Sequence, residues 1–384
     1  MINTTTATKT TTTSNKNNNA TKTIMVQRKV KLSWSAFAMA VLLGLAFLSM
    51  PIHATTDSDD NDDSSSDMAR GPTWEIVETE VSLGIDPRDN LQAETTIDIY
   101  NYAPVYPSAS GQMEAKDYQS PLAVMMCGGN VPKSAYRTFA RGLARRGLVV
   151  AVVEHNVTFG PFATPGNFAS PLDISNTILH MESHSNDFNL DMSQVVLLGH
   201  SFGTAMVLNA INNLCPFPFC VDATSPFPAG IHVPLHTGVV LAGGYGSSLA
   251  DPQTDTFVTY NNNHIPFAII NGDGDVSYFL DSEGENRFVG SFVRMAAPKA
   301  AAGIKNLDHF SISEVVTNTN RGDVLSTLPR RKQIRIVTRA MFRWIKVGLK
   351  AISKNKPIKK FCQKLENNAL KRGYELDQCL EEYL

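Results

Sequence analysis

The chain has 384 residues, with 34 Lys and Arg against 36 Asp and Glu and 43% hydrophobic residues. These figures fit one large globular domain with appendages. A formal net charge of −2 gives no sign of the basic surface that nucleic acid requires, and no nucleic-acid partner is expected.

Residues 1–31 form a Thr- and Asn-rich leader without apolar periodicity. Such a segment buries too little surface to offset the entropy of ordering it, so it is expected to be disordered. Arg28, Lys29 and Lys31 then precede an uncharged apolar run from Leu32 to Ile52, which ends in His53-Ala54-Thr55-Thr56. That order predicts a signal peptide over 32–54 with cleavage near Ala54, or an uncleaved anchor of the same extent, and either way entry into the secretory pathway. Counted from Met25 instead of Met1 the basic segment has ordinary proportions, and both starts stay open. Residues 55–72, with six Asp between Asp57 and Asp67, are expected as a solvated acidic linker. Their spacing lacks the Gly and Glu of a calcium loop, so no metal site is expected.

From residue 73 the pattern becomes that of a folded domain, which is expected to run to 353. Trp74 to Leu83 and Thr95 to Tyr102 alternate apolar and polar residues and predict an antiparallel opening. Continuous apolar runs follow at Leu122 to Met126, Leu148 to Val153, Val195 to Leu198, Gly238 to Ala242 and Pro266 to Ile270, separated by stretches of helical spacing. The last helix is expected from about Gln333 to Ile352. Such alternation predicts an α/β fold, a doubly wound and mostly parallel sheet with helices on both faces. Ligands of such sheets bind at the carboxyl ends of the strands, which directs attention to the loops after them.

Directly after Leu198 stands Gly199-His200-Ser201-Phe202-Gly203, followed at once by a helical stretch. This is the G-x-S-x-G elbow in its strand-turn-helix context, with Gly199 and Gly203 leaving room for a sharp turn that lifts the Ser201 hydroxyl above the sheet. A serine hydroxyl is a weak nucleophile until an imidazole takes its proton and a carboxylate orients that imidazole. In the chain order serine, acid, base, the acid is sought in Asn271-Gly272-Asp273-Gly274-Asp275. Asp275 is preferred to Asp273 because it lies at the far side of the turn, although Asp also serves simply as a turn former. His309 is the only histidine after Asp275 and is the candidate base. The oxyanion of the intermediate needs two backbone N–H donors. Phe202 and Gly129, within Cys127-Gly128-Gly129-Asn130, are the candidates. Neither cofactor nor metal is needed by this chemistry.

Residues 74–350 resemble the branch of the α/β-hydrolase superfamily that holds chlorophyllases, platelet-activating-factor acetylhydrolases, dienelactone hydrolases and cutinase-like enzymes. The resemblance is carried by Cys127-Gly128-Gly129, Ala144-Arg145-Arg146-Gly147-Leu148, Val153-Glu154-His155 and the elbow pentapeptide. It implies a serine carboxylester hydrolase with a small lipophilic ester as substrate, chlorophyll first, with an acetylhydrolase-like action on phospholipid or a general carboxylesterase or cutinase-like activity as the alternative. Two departures stand out. Chlorophyllases and the acetylhydrolases place the acid one strand earlier, where this chain has Ala242-Gly243-Gly244-Tyr245, and Thr204 occupies a position that is glycine in many relatives. A non-catalytic binding protein on the same scaffold is the rival from another class.

Residues 246–264 are too few for a large cap, so an open pocket is expected. Residues 354–384 are expected as a basic, then acidic, tail whose Lys350, Lys354, Lys356, Lys359, Lys360 and Lys364 could touch an anionic membrane surface. Of five cysteines, Cys215 with Cys220 and Cys362 with Cys379 allow two local disulfides, while Cys127 reads as a buried free thiol. Asn156-Val157-Thr158 fits the N-glycosylation pattern.

Overall fold

The computed structural model describes residues 6–13, 22–29, 73–89, 92–105, 119–157, 166–167, 170–211, 215, 235–241, 265–275, 292–293, 295–315, 324–353 and 361–382. The chain divides into two units, Met1–Asp59 and Asp60–Leu384. In the first, β1 (Thr6–Thr13) and β2 (Lys22–Lys29) pair antiparallel. Composition alone predicts disorder here. The difference has a local cause, because β-branched Thr favours extended backbone, and an isolated two-stranded ribbon is only marginally stable. The expected signal segment 32–54 and the acidic linker 55–72 lie outside the described residues.

The second unit is built on a ten-stranded sheet. Its strands are β3 (Thr73–Ile85), β4 (Glu94–Val105), β5 (Ser120–Met126), β6 (Val149–Val157), β7 (Gly166–Asn167), β8 (Leu190–His200), β9 (Leu235–Leu241), β10 (Phe267–Gly272), β11 (Lys299–Ile304) and β12 (Leu376–Glu382). The order is β12-β11-β10-β9-β8-β5-β6-β4-β3, with the short β7 pairing with β6. The strands from β6 across to β11 run parallel, and β3, β4 and β12 are antiparallel to their neighbours. The connections are α1 (Arg137–Ala144), α2 (Pro171–Ser183), α3 (Phe202–Ile211), α4 (Arg330–Ser353) and α5 (Phe361–Arg372).

Both faces of the sheet are covered, which is why its inner strands read as unbroken apolar runs. Val150 and Val152 of β6 pack on one side with Phe139 and Leu143 of α1 and Trp344 of α4. Val149, Ala151 and Val153 face the other side, with Ile174 and Ile178 of α2 and Val207 of α3. The two-residue period of a strand thus divides one run between two cores.

The C-terminal segment is not a tail. Phe361, Cys362, Leu365 and Ala369 put a buried stripe on α5, with the Phe361 ring edge-on to Trp344 at 5.1 Å. The chain then returns as β12, antiparallel to β11 from Lys299 opposite Glu382 to Ile304 opposite Leu376. Cys362 and Cys379 are disulfide-bonded, tying α5 to β12. The folded domain therefore continues past 353, through Glu382. Of the lysines expected to form a basic strip, Lys350 and Lys364 are exposed, and Lys354, Lys356, Lys359 and Lys360 lie outside the described residues. Cys215 is disulfide-bonded, its expected partner Cys220 lying outside the described residues, and Cys127 is a buried free thiol. Asn156 lies within β6, opposite Glu94 and Asn167, and not on a surface loop.

One buried ionic cluster holds α2 against the sheet. His155, near the end of β6, places Nδ1 2.9 Å from Asp173 and Nε2 3.3 Å from Asp89, and all three side chains are buried. Asp173 also accepts from the Thr95 hydroxyl and from the backbone N–H of Ser170, completing a capping box at the start of α2. Burial works against a charged ring, but the carboxylates of Asp173 and Asp89 outweigh it and hold His155 up at about 10. A base held above its ordinary value of 6.5 stabilises the fold fully below that value. The contribution drains away as pH climbs from there through the folded value. Urea melts at pH 6 and pH 9.5 are therefore expected to show wild type losing its advantage over His155→Gln as pH rises. A gap independent of pH would refute this account.

Candidate active site

Strand β8 ends at His200, and α3 begins at Phe202, so Ser201 alone makes the turn between them. It does so with φ of 51°, a left-handed conformation that is costly for a residue with a Cβ and recurs where a functional side chain is held under strain. The turn closes only because its flanks are bare. A Cβ on Gly199 would stand 2.8 Å from the Gly203 carbonyl oxygen, and one on Gly203 would strike the carbonyl oxygens of Met126 and Cys127 at the end of β5. The elbow is therefore wedged against the neighbouring strand.

His309 lies in the loop after β11, and its Nε2 is 2.9 Å from the Ser201 hydroxyl. Its Nδ1 is 3.0 Å from the Asp275 carboxylate, in the turn after β10. Asp275 and His309 are 0% and 1% exposed, so water does not compete for either bond. A carboxylate only accepts, which puts the proton of neutral His309 on Nδ1 and leaves Nε2 to accept from Ser201. Asp273 does something else. Its side chain accepts from the Asn306 backbone N–H at 2.6 Å and so joins the turn after β10 to the turn after β11.

The candidate nucleophile, acid and base thus come from the carboxyl ends of β8, β10 and β11, in that chain order. This is the α/β-hydrolase fold. The sequence matches no protein-family model and no curated protein. Among solved structures, a ferulic acid esterase from Streptomyces cinnamoneus superposes with a TM-score of 0.45 and 12% identity, covering 72% of this chain and 90% of that one. A protein from Lactobacillus plantarum assigned as a carboxylesterase gives 0.44 and 12%, covering 71% and 98%. These are distant likenesses, and what the site can do chemically rests on its own side chains.

The glycine loop after β5 lies beside the elbow, since a Cβ on Gly128 would come within 3.3 Å of Ser201 Cβ. Within it the Gly128 N–H is already committed, donating to the Tyr136 hydroxyl at 2.8 Å. The Gly129 N–H bonds to nothing among the described residues. Phe202 supplies the first N–H of α3, the position after the nucleophile. The loop is secured beyond Asn130 by Lys133, whose buried ammonium bridges Glu80 at 2.6 Å and Asp98 at 2.9 Å. Burial pushes the Cys127 thiol well above its ordinary range, so it stays protonated and is no competing nucleophile.

Several side chains around the site carry roles that their local sequence does not announce. Asp308, next to the base, accepts from the Phe310 N–H at 2.9 Å and from the Arg330 guanidinium at 3.0 Å, which pins the base loop to the start of α4. Tyr136 and His200 form a hydrogen-bonded chain behind the serine. His200 is legible in the sequence only as the elbow's variable residue, and Tyr136 only as the start of an amphipathic helix. The segment 246–264, on which an open pocket was expected, lies outside the described residues.

Proposed function

We propose that the chain is a serine carboxylester hydrolase acting through Ser201, His309 and Asp275. The observation that carries this reading is one imidazole set between two partners, 2.9 Å from a serine hydroxyl on one nitrogen and 3.0 Å from a buried carboxylate on the other. Ser201 Oγ attacks the ester carbonyl as His309 Nε2 takes its proton. Asp275 stabilises the resulting imidazolium, and the N–H groups of Phe202 and Gly129 receive the oxyanion. The C–O bond to the alcohol then breaks as His309 returns the proton to the leaving oxygen. Water, deprotonated by the same nitrogen, releases the acid and restores the serine.

The substrate class we infer is a lipophilic ester. The phytyl ester of chlorophyll comes first and the acetyl ester of a phospholipid second, on the sequence resemblance alone. Wild-type protein assayed on short and long p-nitrophenyl esters, chlorophyll and an acetylated ether phospholipid is expected to turn over at least one nitrophenyl ester, and chlorophyll faster than the phospholipid. Nitrophenyl turnover with neither lipid cleaved removes the substrate assignment and leaves the reaction. No turnover on the whole panel overturns the hydrolase reading in favour of a binding protein on this scaffold.

A further inference from the structure

Behind the nucleophile elbow three hydrogen bonds join into one chain that takes no part in proton transfer. The Gly128 N–H donates to the Tyr136 hydroxyl at 2.8 Å, that hydroxyl lies 2.8 Å from His200 Nδ1, and His200 Nε2 lies 2.8 Å from the main-chain carbonyl of His309. Tyr136 and His200 are both 0% exposed. Only one proton arrangement satisfies every atom with neutral groups. The His309 carbonyl can only accept, so His200 carries its proton on Nε2. Its Nδ1 then accepts, so the Tyr136 O–H must donate to it, and the phenolic oxygen is free to receive the Gly128 N–H.

We propose that Tyr136 and His200 are positioning residues, which lock the oxyanion loop to the main chain of the general base across the back of the elbow. The proposal rests on the serine-hydrolase function above. Three elements that catalysis needs in register, the loop after β5, the elbow after β8 and the base loop after β11, are otherwise far apart in the chain. The chain of bonds spans all three. Its first bond also consumes the Gly128 N–H, which hands the oxyanion to the next donor, Gly129. The approach is close enough to require glycine, because a Cβ on Gly128 would lie 2.8 Å from His200 Nδ1. Burial pushes the Tyr136 hydroxyl well above its ordinary range, so it remains a donor at any working pH. Because both side chains are fully buried, a missing member leaves its neighbours unsatisfied and lets the loops drift.

A displacement of about 1 Å among reacting groups costs roughly a hundredfold in rate, and outright loss of an oxyanion donor about 10²–10³-fold. Tyr136→Phe keeps the buried ring and removes one oxygen. It is expected to lower kcat on p-nitrophenyl butyrate by about ten- to a hundredfold per serine titrated with a fluorophosphonate, with KM within about twofold. Titration removes any contribution from unfolded protein, which a merely structural role would produce. His200→Gln, whose amide can both accept from Tyr136 and donate to the His309 carbonyl, is expected to retain more turnover per titrated site than His200→Leu. The positioning role is overturned if Tyr136→Phe matches wild type per titrated site, or if the Gln and Leu variants are equally impaired. If wild type neither cleaves the ester nor reacts with the phosphonate, while Ser201→Ala behaves identically, the hydrolase function itself has failed and takes this role with it.

Discussion

Ser201→Ala is expected to abolish ester turnover, lowering kcat by on the order of 10⁶, the loss seen when one member of a nucleophile–base pair is removed and the rest of the site is left in place. The fold should not notice. Alanine keeps the Cβ that the backbone already accommodates at φ of 51°, and the lost hydroxyl leaves only His309 Nε2 without its partner. Steady-state rates beside a thermal melt check both halves of the expectation. Activity within tenfold of wild type would mean that another group attacks the ester. The buried Cys127 cannot fill that place, since its thiol is held protonated. A melt lowered in step with the rate would instead mean that the substitution had damaged the elbow, whose fit against Met126 and Cys127 leaves no slack.

Asp275→Asn should cost about 10⁴ in kcat, with KM and stability little changed. The cause is a proton on the wrong nitrogen. Asp275 accepts from His309 Nδ1 at 3.0 Å, whereas an asparagine amide turned to donate there moves the imidazole proton to Nε2, facing the serine it should deprotonate. The neighbouring Asp273→Asn is the informative control. Its oxygen accepts from the Asn306 N–H, and an asparagine carbonyl does that equally well, so its rate should stay near wild type. Rates for the two variants measured side by side decide between the acids. Equal losses at both positions, or a larger one at Asp273, would reverse the assignment.

Much of this architecture is written in local signals. The apolar runs that became β5, β8 and β10 are read directly, because strands covered on both faces leave no polar positions to confuse the pattern. The elbow is equally local, since its glycines, serine and following helix are consecutive. The hairpin of β3 and β4 and the long α4 were likewise legible from their periodicity. The two ends of the chain and β11, whose Lys299–Ile304 was no more than a short apolar stretch in the sequence, were not. The leader's threonines pair as a ribbon, which the extended preference of β-branched residues favours, and the last residues read as a tail because α5 and β12 are short and rich in charge. What makes a strand of Leu376–Glu382 is the open edge of β11 and the disulfide at Cys379, and neither is visible from within the segment.

The sequence by itself determined the strands and helices from β3 to β10 apart from the two-residue β7, the long α4, the elbow at Ser201 and the short set of acids and histidines from which a site could be made, because each depends on neighbours a few residues away. Only the tertiary structure decided that Asp275 and not Asp273 faces the base, that Asp308 and Arg330 hold the base loop, that His155 serves the fold, and that Tyr136 and His200 link the oxyanion loop to His309. Those are contacts between residues 18 to 109 positions apart. Whether a polar side chain turns a loop, carries a proton or braces a neighbour depends on which partner the sheet brings to it within 3 Å, and spacing along the chain carries no information about that.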